Sequence, residues 1–348
     1  MEKGASLSHV SRALEDEGVV SDARIFRIGT DYSEKRGQLK FGSYLIAANA
    51  SMAEVAEALT AGGQSTCGRE GNFRIGVATA EGILRELDPT TSKYTEVVRF
   101  DPAAAVKPPE YVEATKSPDL RWRVTLAEGV TSWEVVQELR AADFLTGDIE
   151  DIPPEGSLSP DSYEVEKGAD LKALVAEMQA RQAATLAELW AGRAEGLPYK
   201  TPEEAMIMAS IVEKETGVAE ERPQVASVFL NRLAKGMKLQ TDPTVIYGVT
   251  KGEGVLGRGL RQSELRRETP YNTYVIDGLP PTPIANPGRL SIEAALHPAT
   301  TDYLYFVADG SGGHAFAATL EEHNKNVAKW REIEAQQGQQ DQGGVQGN

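Results

Sequence analysis

The chain has 348 residues, with 36 Lys and Arg against 52 Asp and Glu, so its formal net charge is −16. This length predicts two or three domains, and the 41% hydrophobic content excludes disorder for the bulk of the chain. The acidic charge argues against nucleic acid or an anionic membrane surface as the main partner. The single cysteine, Cys67, excludes an internal disulfide and a thiolate zinc cluster. The chain has no run of about 18 apolar residues that would span a bilayer.

Three segments of the first half share a hydroxyl residue followed by Val four positions later and Leu eight positions later. They begin at Ser6, Ser51 and Thr131. This spacing predicts three helices, each with the hydroxyl residue as N-cap and both apolar side chains on one face. Strand-like runs lie between them, at 25–28, 42–46, 73–77 and 122–126. The pattern predicts one or two small α/β modules over 1–150, with an inserted elaboration at about 62–118. A scaffold without a site of its own is the alternative.

The middle of the chain predicts a helical connector. The run from Ala169 to Gly192 has apolar residues at helical spacing, and a Gly- and Pro-containing segment at 194–199 ends it. We therefore expect a connector over 151–195 between the first region and a second domain over 196–335. The Gln- and Gly-rich end, 336–348, predicts a disordered tail.

A carboxylate in the second domain has the placement of a general acid. Residues 201–217 open with an N-cap threonine, Pro at the first helical position and a capping-box Glu, which predicts a helix. On a helical wheel, Glu215 lies in the middle of the apolar stripe and Glu213 points to about the opposite side. Because an apolar setting disfavours the charged form, we expect a raised pKa, which general acid catalysis near neutral pH requires. The alternative is a helix-end carboxylate turned to solvent or paired with Arg232.

Further polar and aromatic segments follow this helix. A helix is predicted over 225–233, and the polar residues of 239–248 either bind a sugar or cap the next helix at Asp242. The Pro- and Tyr-rich residues of 269–288 predict an ordered loop of amphipathic surface, which suits carbohydrate or peptide recognition. A strand at 302–308 and the glycine-rich turn before His314 predict a hairpin. The four histidines lack metal-ligand spacing, and no serine elbow is present, so we expect neither a metal site nor Ser/His/Asp chemistry.

Taken in order, several of these segments resemble the endolytic murein transglycosylase family, that is, the YceG-like or MltG-type proteins. The similar segments are 209–216, 225–233, 239–248, 271–274, 278–288 and 303–316. The resemblance is dense over about 195–335 and looser in the first half, where it implies a LysM-like region. The catalytic carboxylate of the family is the second Glu of a Glu-Lys-Glu-Thr motif, which is Glu215 here. The helical wheel selects the same residue.

This resemblance implies a fold and an activity. The fold is α+β, with a LysM-like α/β N-terminal region followed by a mainly helical, lysozyme-like catalytic domain with a small β portion. The activity is that of a lyase, a lytic transglycosylase that cuts the β-1,4 bond between N-acetylmuramic acid and N-acetylglucosamine inside nascent glycan strands, leaves 1,6-anhydro ends and so limits strand elongation. Glu215 protonates the leaving oxygen and then takes the proton of the muramyl 6-hydroxyl. Candidates for binding the substrate, or for orienting Glu215, are Gln240, Asp242, Tyr271, Asn272, Tyr274 and His314, and no cofactor is expected.

The expected partners are peptidoglycan glycan strands and peptidoglycan synthases. The family carries an N-terminal transmembrane helix that places the catalytic part in the periplasm or at the cell exterior. Since this sequence lacks it, we expect an anchor ahead of the chain in the bacterial inner membrane. Two other function classes stay open: a non-catalytic peptidoglycan-binding or synthase-docking protein, and a lysozyme-type hydrolase. A hydrolase usually needs a second carboxylate about 5–9.5 Å from the acid, and the candidates are Asp242 and Glu213.

Overall fold

The computed structural model describes residues 5–39, 42–60, 68–91, 93–117 and 120–343, with side chains described as far as residue 336. The first half contains α1 (Leu7–Asp16), α2 (Ala23–Tyr32), α3 (Met52–Thr60), β1 (Arg69–Ile75), β2 (Ala80–Asp88), β3 (Lys93–Phe100), α4 (Pro109–Ala114) and β4 (Arg121–Leu126). The second half contains α5 (Ser132–Arg140), β5 (Leu145–Thr146), β6 (Ser162–Val165), β7 (Ala169–Asp170), α6 (Leu171–Ala191), α7 (Pro202–Glu215), α8 (Arg222–Ala234), α9 (Asp242–Thr250), α10 (Gln262–Arg266), α11 (Arg289–Leu296), β8 (Tyr305–Ala308), β9 (His314–Ala317) and α12 (Leu320–Gly343). The fold is α+β, as predicted.

The chain divides into two compact units. The first comprises Met1–Arg74, Ala80–Val124 and Tyr163–Lys167, and the second comprises Ile75–Thr79, Thr125–Ser162 and Gly168–Asn348. This division differs from the predicted one, because residues 125–150 were expected in the first region and lie in the second unit. Long-range backbone hydrogen bonds hold them there: Gly129 N–H donates to the Asn286 carbonyl (2.9 Å), and Asn286 N–H donates to the Val130 carbonyl (3.0 Å).

The N-terminal helices of the first unit follow their predicted caps. Ser6 accepts a hydrogen bond from the His9 N–H at the start of α1, and Ser51 and Glu54 exchange reciprocal bonds at the start of α3. Both predicted helices are confirmed. The predicted strand at 25–28 is wrong, because Asp22 caps α2 across these residues. The predicted strand at 42–46 is also wrong, since the described residues there form no strand.

The first unit also holds a five-stranded sheet, with the order β3-β2-β1-β4-β6. Strands β2 and β3 form an antiparallel pair that runs from Gly82 opposite Phe100 to Asp88 opposite Lys93. The predicted strand at 122–126 is confirmed as β4, and that at 73–77 is confirmed in part, since β1 ends at Ile75. The described residues of the expected elaboration supply β1, β2, β3 and α4, whereas Cys67 lies outside the described residues.

The second unit is built around α7. Every residue from Ala205 to Val212 is buried, because α6, α8 and α11 pack against this helix. Its core includes Met208, Ile211, Phe229, Ile292 and Leu296. The predicted helices at 131–139, 169–192, 201–217 and 225–233 are confirmed as α5, α6, α7 and α8. The core therefore fixes α7 and with it the position of Glu215 at its last residue.

The C-terminal part forms the predicted hairpin and a long helix. Strands β8 and β9 pair antiparallel, with Tyr305 opposite Ala317 and Ala308 opposite His314. Helix α12 continues to Gly343, whereas the sequence predicted a disordered tail from residue 336. Five of the eight residues from 336 to 343 are Gln, which has a high intrinsic helix propensity. Residues 344–348 lie outside the described part. Over the described residues, the structure contains no helix with the length and hydropathy of a membrane span.

Candidate active site

Glu215 is partly buried at the end of α7 and is held by a buried threonine. The Thr241 hydroxyl donates a hydrogen bond to Glu215 Oε1. Burial raises the pKa of the Glu215 carboxyl, and the negative charge of Asp242 raises it further, whereas the Thr241 bond and the electrostatic interactions with His314 and Arg232 lower it. Burial has the largest effect. The expected raised pKa is therefore found, and Glu215 can hold a proton at a higher pH than an ordinary glutamate.

A buried threonine network fixes Thr241. Its N–H donates to the Thr273 hydroxyl (3.0 Å), and the Thr244 and Thr273 hydroxyls lie 2.9 Å apart. Gln240 N–H donates to the Thr273 carbonyl (3.1 Å). The segment 239–248 thus leads into α9, but the predicted cap at Asp242 is wrong, because Thr241 is the N-cap residue and its side chain makes no cap bond to this helix. The network leaves Thr241 little freedom, so the hydrogen bond to Glu215 is built into the fold.

Asp242 and Tyr274 lie next to this network. The Tyr274 hydroxyl donates to Asp242 Oδ1 (2.7 Å), and Asp242 is exposed at the first position of α9. Burial, and next the Asp242 carboxylate, raise the pKa of Tyr274. Both residues were substrate-binding candidates, and the structure brings both close to Glu215. Gln240, a third candidate, is exposed just before Thr241.

Two other candidates have different surroundings. Asn272 is fully buried, and its amide nitrogen donates to the carbonyls of Glu264 (3.1 Å), Leu265 (3.1 Å) and Arg267 (2.7 Å). The side-chain oxygen Oδ1 of Asn272 accepts from the Tyr274 N–H (3.0 Å). Asn272 therefore orders the loop and has no group left for a substrate, which corrects the expectation. Tyr271 has a hydroxyl 2.7 Å from that of Thr282 and a ring centroid 5.0 Å from that of Tyr247.

His314 is clamped by Glu221, a residue that the sequence did not single out. His314 N–H donates to Glu221 Oε1 (2.8 Å), and His314 Nδ1 lies 2.8 Å from Oε2. The Thr216 hydroxyl, next to Glu215 in the chain, donates to the same Oε2 (3.4 Å). A side chain at Gly313 would come within 2.4 Å of Glu221 Oε1. Glu221 therefore connects the hairpin to the end of α7, which holds the His314 ring near Glu215.

Arg232 forms no salt bridge with Glu215, a pairing that the sequence left open as the alternative to a general acid. Its Nε donates to the Leu304 carbonyl (2.7 Å), and a second guanidinium nitrogen donates to the Leu239 carbonyl. The guanidinium also lies 5.6 Å from the centre of the Tyr305 ring. Arg232 thus acts on Glu215 through its charge alone.

Glu213 is a structural carboxylate. Its Oε2 accepts from the Gly288 N–H (3.0 Å), and its Oε1 lies 3.4 Å from the Arg222 guanidinium. Its side chain is only 5% exposed. Of the two candidates for a second carboxylate, Asp242 is the one whose charge acts on Glu215. The described residues contain no group of His, Cys, Asp and Glu side chains suited to hold a metal ion.

The fold and the site define an α+β protein with a partly buried, protonatable carboxylate at the end of a core helix. The sequence model of the YceG-like family matches residues 1–329. The chain belongs to the YceG-like family.

Known relatives agree with this assignment. An endolytic murein transglycosylase of Bacillus subtilis (strain 168) is 49% identical over 125 residues, which are 36% of this chain and 34% of that protein. One of Streptococcus pneumoniae serotype 2 (strain D39) is 33% identical over 182 residues, 50% of this chain and 32% of that protein. The match therefore spans about a third of these relatives. The crystal structure of a YceG-like protein from Listeria monocytogenes superposes with a TM-score of 0.50 at 26% identity, covering 93% of this chain and 97% of that one.

Proposed function

We propose that this protein is an endolytic lytic transglycosylase acting on peptidoglycan. It is a lyase that cleaves the β-1,4 bond between N-acetylmuramic acid and N-acetylglucosamine and leaves a 1,6-anhydro end. The observation that carries the proposal is Glu215, a carboxyl group with a raised pKa held by the Thr241 hydroxyl. The names of the Bacillus and Streptococcus relatives support the substrate and the reaction class.

The reaction needs one group that gives a proton and later takes one. Protonated Glu215 donates its proton to the glycosidic oxygen as the bond from that oxygen to the muramyl C1 breaks. The muramyl 6-hydroxyl oxygen bonds to C1, and its proton goes to the Glu215 carboxylate, which is thereby restored. No water is consumed. An intramolecular hydroxyl can reach effective molarities on the order of 10⁵ M when it is well aligned, so it outcompetes water.

The surroundings of Glu215 supply polar groups for the sugars. The Asp242 carboxylate, the Tyr274 hydroxyl and the His314 ring lie around Glu215, and sugar hydroxyls form hydrogen bonds with such groups. Gln240, next to Thr241 in the chain, and Tyr271, three residues before Tyr274, are further candidates for sugar binding. In this proposal the second unit is the lysozyme-like catalytic part, and the first unit is a LysM-like part that orients the glycan strand without contributing a catalytic group.

The cellular setting is part of the same proposal. A peptidoglycan substrate requires action outside the cytoplasm, with the chain attached to the inner membrane through an anchor that precedes it. The cuts fall inside nascent strands next to peptidoglycan synthases and limit strand elongation.

A hydrolase is the second candidate, because the Asp242 charge acts on Glu215 as a second carboxylate would. The two reactions give different ends on the muramic acid. Purified glycan strands are digested, reduced with borohydride and analysed by mass spectrometry. An anhydro end resists reduction, so transglycosylase products are about 20 mass units lighter than reduced hydrolytic ones. Reducible ends as the main product refute the transglycosylase assignment, and intact strands refute both enzymatic assignments and favour a binding protein.

A further inference from the structure

A cleft in the second unit lies apart from the immediate surroundings of Glu215. It has a volume of about 570 Å³ and is walled by α6, α7, α9 and the loops at 154–157 and 281–283. This volume is in the range that holds a small-molecule group. Among the candidates for sugar binding, only Tyr271 also lines this cleft.

The walls of the cleft suit an aliphatic chain that ends in a cation. Their apolar part includes Leu186, Met206, Ile207 and Pro283. The Tyr247 and Tyr271 rings, with centroids 5.0 Å apart, also line the cleft. Apolar walls favour methylene groups, and tyrosine faces attract cations.

A carboxylate with only neutral partners lines the same cleft. Glu155 Oε1 accepts from the Ser132 N–H (2.8 Å), and Oε2 accepts from the Tyr247 hydroxyl (3.2 Å). Within the described residues, Glu155 has no ion pair with Lys or Arg, and no basic residue lines the cleft. Burial raises the pKa of Glu155 to about 7. Its ionised form therefore has no ion-pair partner among the described residues, and a bound cation would supply one.

The nearby lysines are engaged elsewhere. Lys214 interacts electrostatically with Glu155, but its ammonium donates to the Gly129 carbonyl (3.1 Å). Lys251 lies 5.7 Å from the centre of the Tyr271 ring and is not among the residues that line the cleft. The other carboxylate of the lining is Glu203. The cleft is therefore acidic and repels anions.

The loop that carries Glu155 packs closely against the loop at 281–283 on the same cleft. Gly156 has φ +81, and a side chain there would meet Pro283 at 2.8 Å, so only glycine lets the two loops approach. The next residue, Ser157, has a buried Oγ atom without a hydrogen-bond partner in the described part of the chain. An unpaired buried hydroxyl beside a cleft is available to a ligand.

We propose that this cleft binds a primary aliphatic ammonium group, with the ammonium on Glu155 and the carbon chain against the apolar wall. An anion is excluded by the two carboxylates, and a neutral apolar ligand leaves Glu155 uncompensated. The peptides attached to glycan strands carry free amino groups of this class. The assignment to a peptide amine rests on the proposed function, whereas the ammonium site itself does not.

Calorimetric titration of the full chain tests the site with two probes of equal chain length, pentylamine and 1-pentanol, at about pH 8. We expect the amine to bind at least about tenfold more tightly than the alcohol, since only the amine pairs with the carboxylate. Glu155→Gln should abolish this preference, and Glu253→Gln, an exposed glutamate outside the cleft, should retain it. Absence of amine binding, equal binding of both probes, or a preference that survives in Glu155→Gln overturns the proposal.

A pH series on the wild-type protein decides the question even if Glu155→Gln does not fold. Pentylamine stays protonated between about pH 6 and pH 8.5, whereas a carboxyl with a pKa of about 7 goes from mostly protonated to mostly ionised. The amine should therefore bind about tenfold more tightly at the higher pH. An affinity that is constant or falls with pH overturns the proposal.

The peptide assignment has its own test. Glycan strands with peptides are compared before and after acetylation of their free amino groups. We expect acetylation to raise KM about tenfold and to leave kcat unchanged, because Glu215 does not line the cleft. An unchanged KM overturns the peptide assignment. Failure to cleave either substrate refutes the proposed function instead, and the pentylamine result is unaffected.

Discussion

The hydrogen bond from Thr241 to Glu215 should set the pH range of cleavage. Valine keeps the shape of the threonine side chain and removes the hydroxyl, so Thr241→Val takes away an interaction that lowers the pKa of Glu215. A hydrogen bond to a charged group contributes about 1.5–3 kcal/mol, and one pKa unit corresponds to about 1.4 kcal/mol. The pKa of Glu215 should therefore rise by about one to two units in the variant.

The sign follows from the role of Glu215 as an acid. Cleavage needs its protonated form, and a higher pKa keeps that form to higher pH. The alkaline limb of the kcat/KM profile on purified glycan strands should move up by about one to two pH units. Thr185→Val on α6, a helix that supplies no group to the electrostatics of Glu215, serves as the control and should leave the limb in place. A limb that stays fixed or moves to lower pH in Thr241→Val refutes this account of the site.

Three further substitutions separate chemistry from structure. Glu215→Gln should lower kcat by about 10²–10⁴-fold and leave the melting temperature and glycan binding unchanged, since glutamine keeps the shape but has no acidic proton. Glu213→Gln should lower the free energy of unfolding by about 1–3 kcal/mol, because it removes the charge that pairs with buried Arg222, and kcat should change little. Gly313→Ala should lower kcat about tenfold, because the added methyl lies 2.4 Å from Glu221 Oε1, and the shift of this carboxylate breaks its bond from the His314 N–H.

Two measurements are made on each of these variants. Chemical denaturation and steady-state kinetics on the same preparations separate loss of fold from loss of chemistry. Gly259→Ala is the control for Gly313→Ala, since a side chain at Gly259 meets no atom within 4 Å. Wild-type cleavage by Glu215→Gln would place the acid elsewhere. A stable but inactive Glu213→Gln would contradict its structural role, and full activity in Gly313→Ala would show that the clamp is dispensable.

Local chemistry explains the parts of the fold that the sequence predicted. Ser6, Ser51, Thr131 and Thr201 all cap helices as expected, because a cap depends on residues within one turn. The segment 25–28 has the β-branched and aromatic residues typical of a strand, but the cap at Asp22 and the burial of Phe26 and Thr30, four residues apart, show that it is helical. Such a segment takes its structure from its neighbours.

The candidate site was likewise only partly predictable from local sequence patterns. The sequence selected Glu215 by its apolar stripe, yet α7 is buried on several sides, and Glu213 is buried on another. What distinguishes Glu215 is the contact with Thr241, 26 residues away. Glu221 and His314 are 93 residues apart in the chain, and no local sequence pattern predicts their contact. Asn272 was a candidate because it lies in a segment that resembles the family, and only the fold shows that its side-chain amide donates to neighbouring carbonyls.

Cleavage in water enriched in oxygen-18 tests the central claim most directly. In the proposed reaction, Glu215 protonates the leaving oxygen and the substrate's own 6-hydroxyl closes on C1. The account predicts that the new muramyl ends contain no oxygen-18, and that Glu215→Gln produces no such ends. One oxygen-18 atom at each new muramyl end would show that water attacks C1, and would contradict the transglycosylase mechanism.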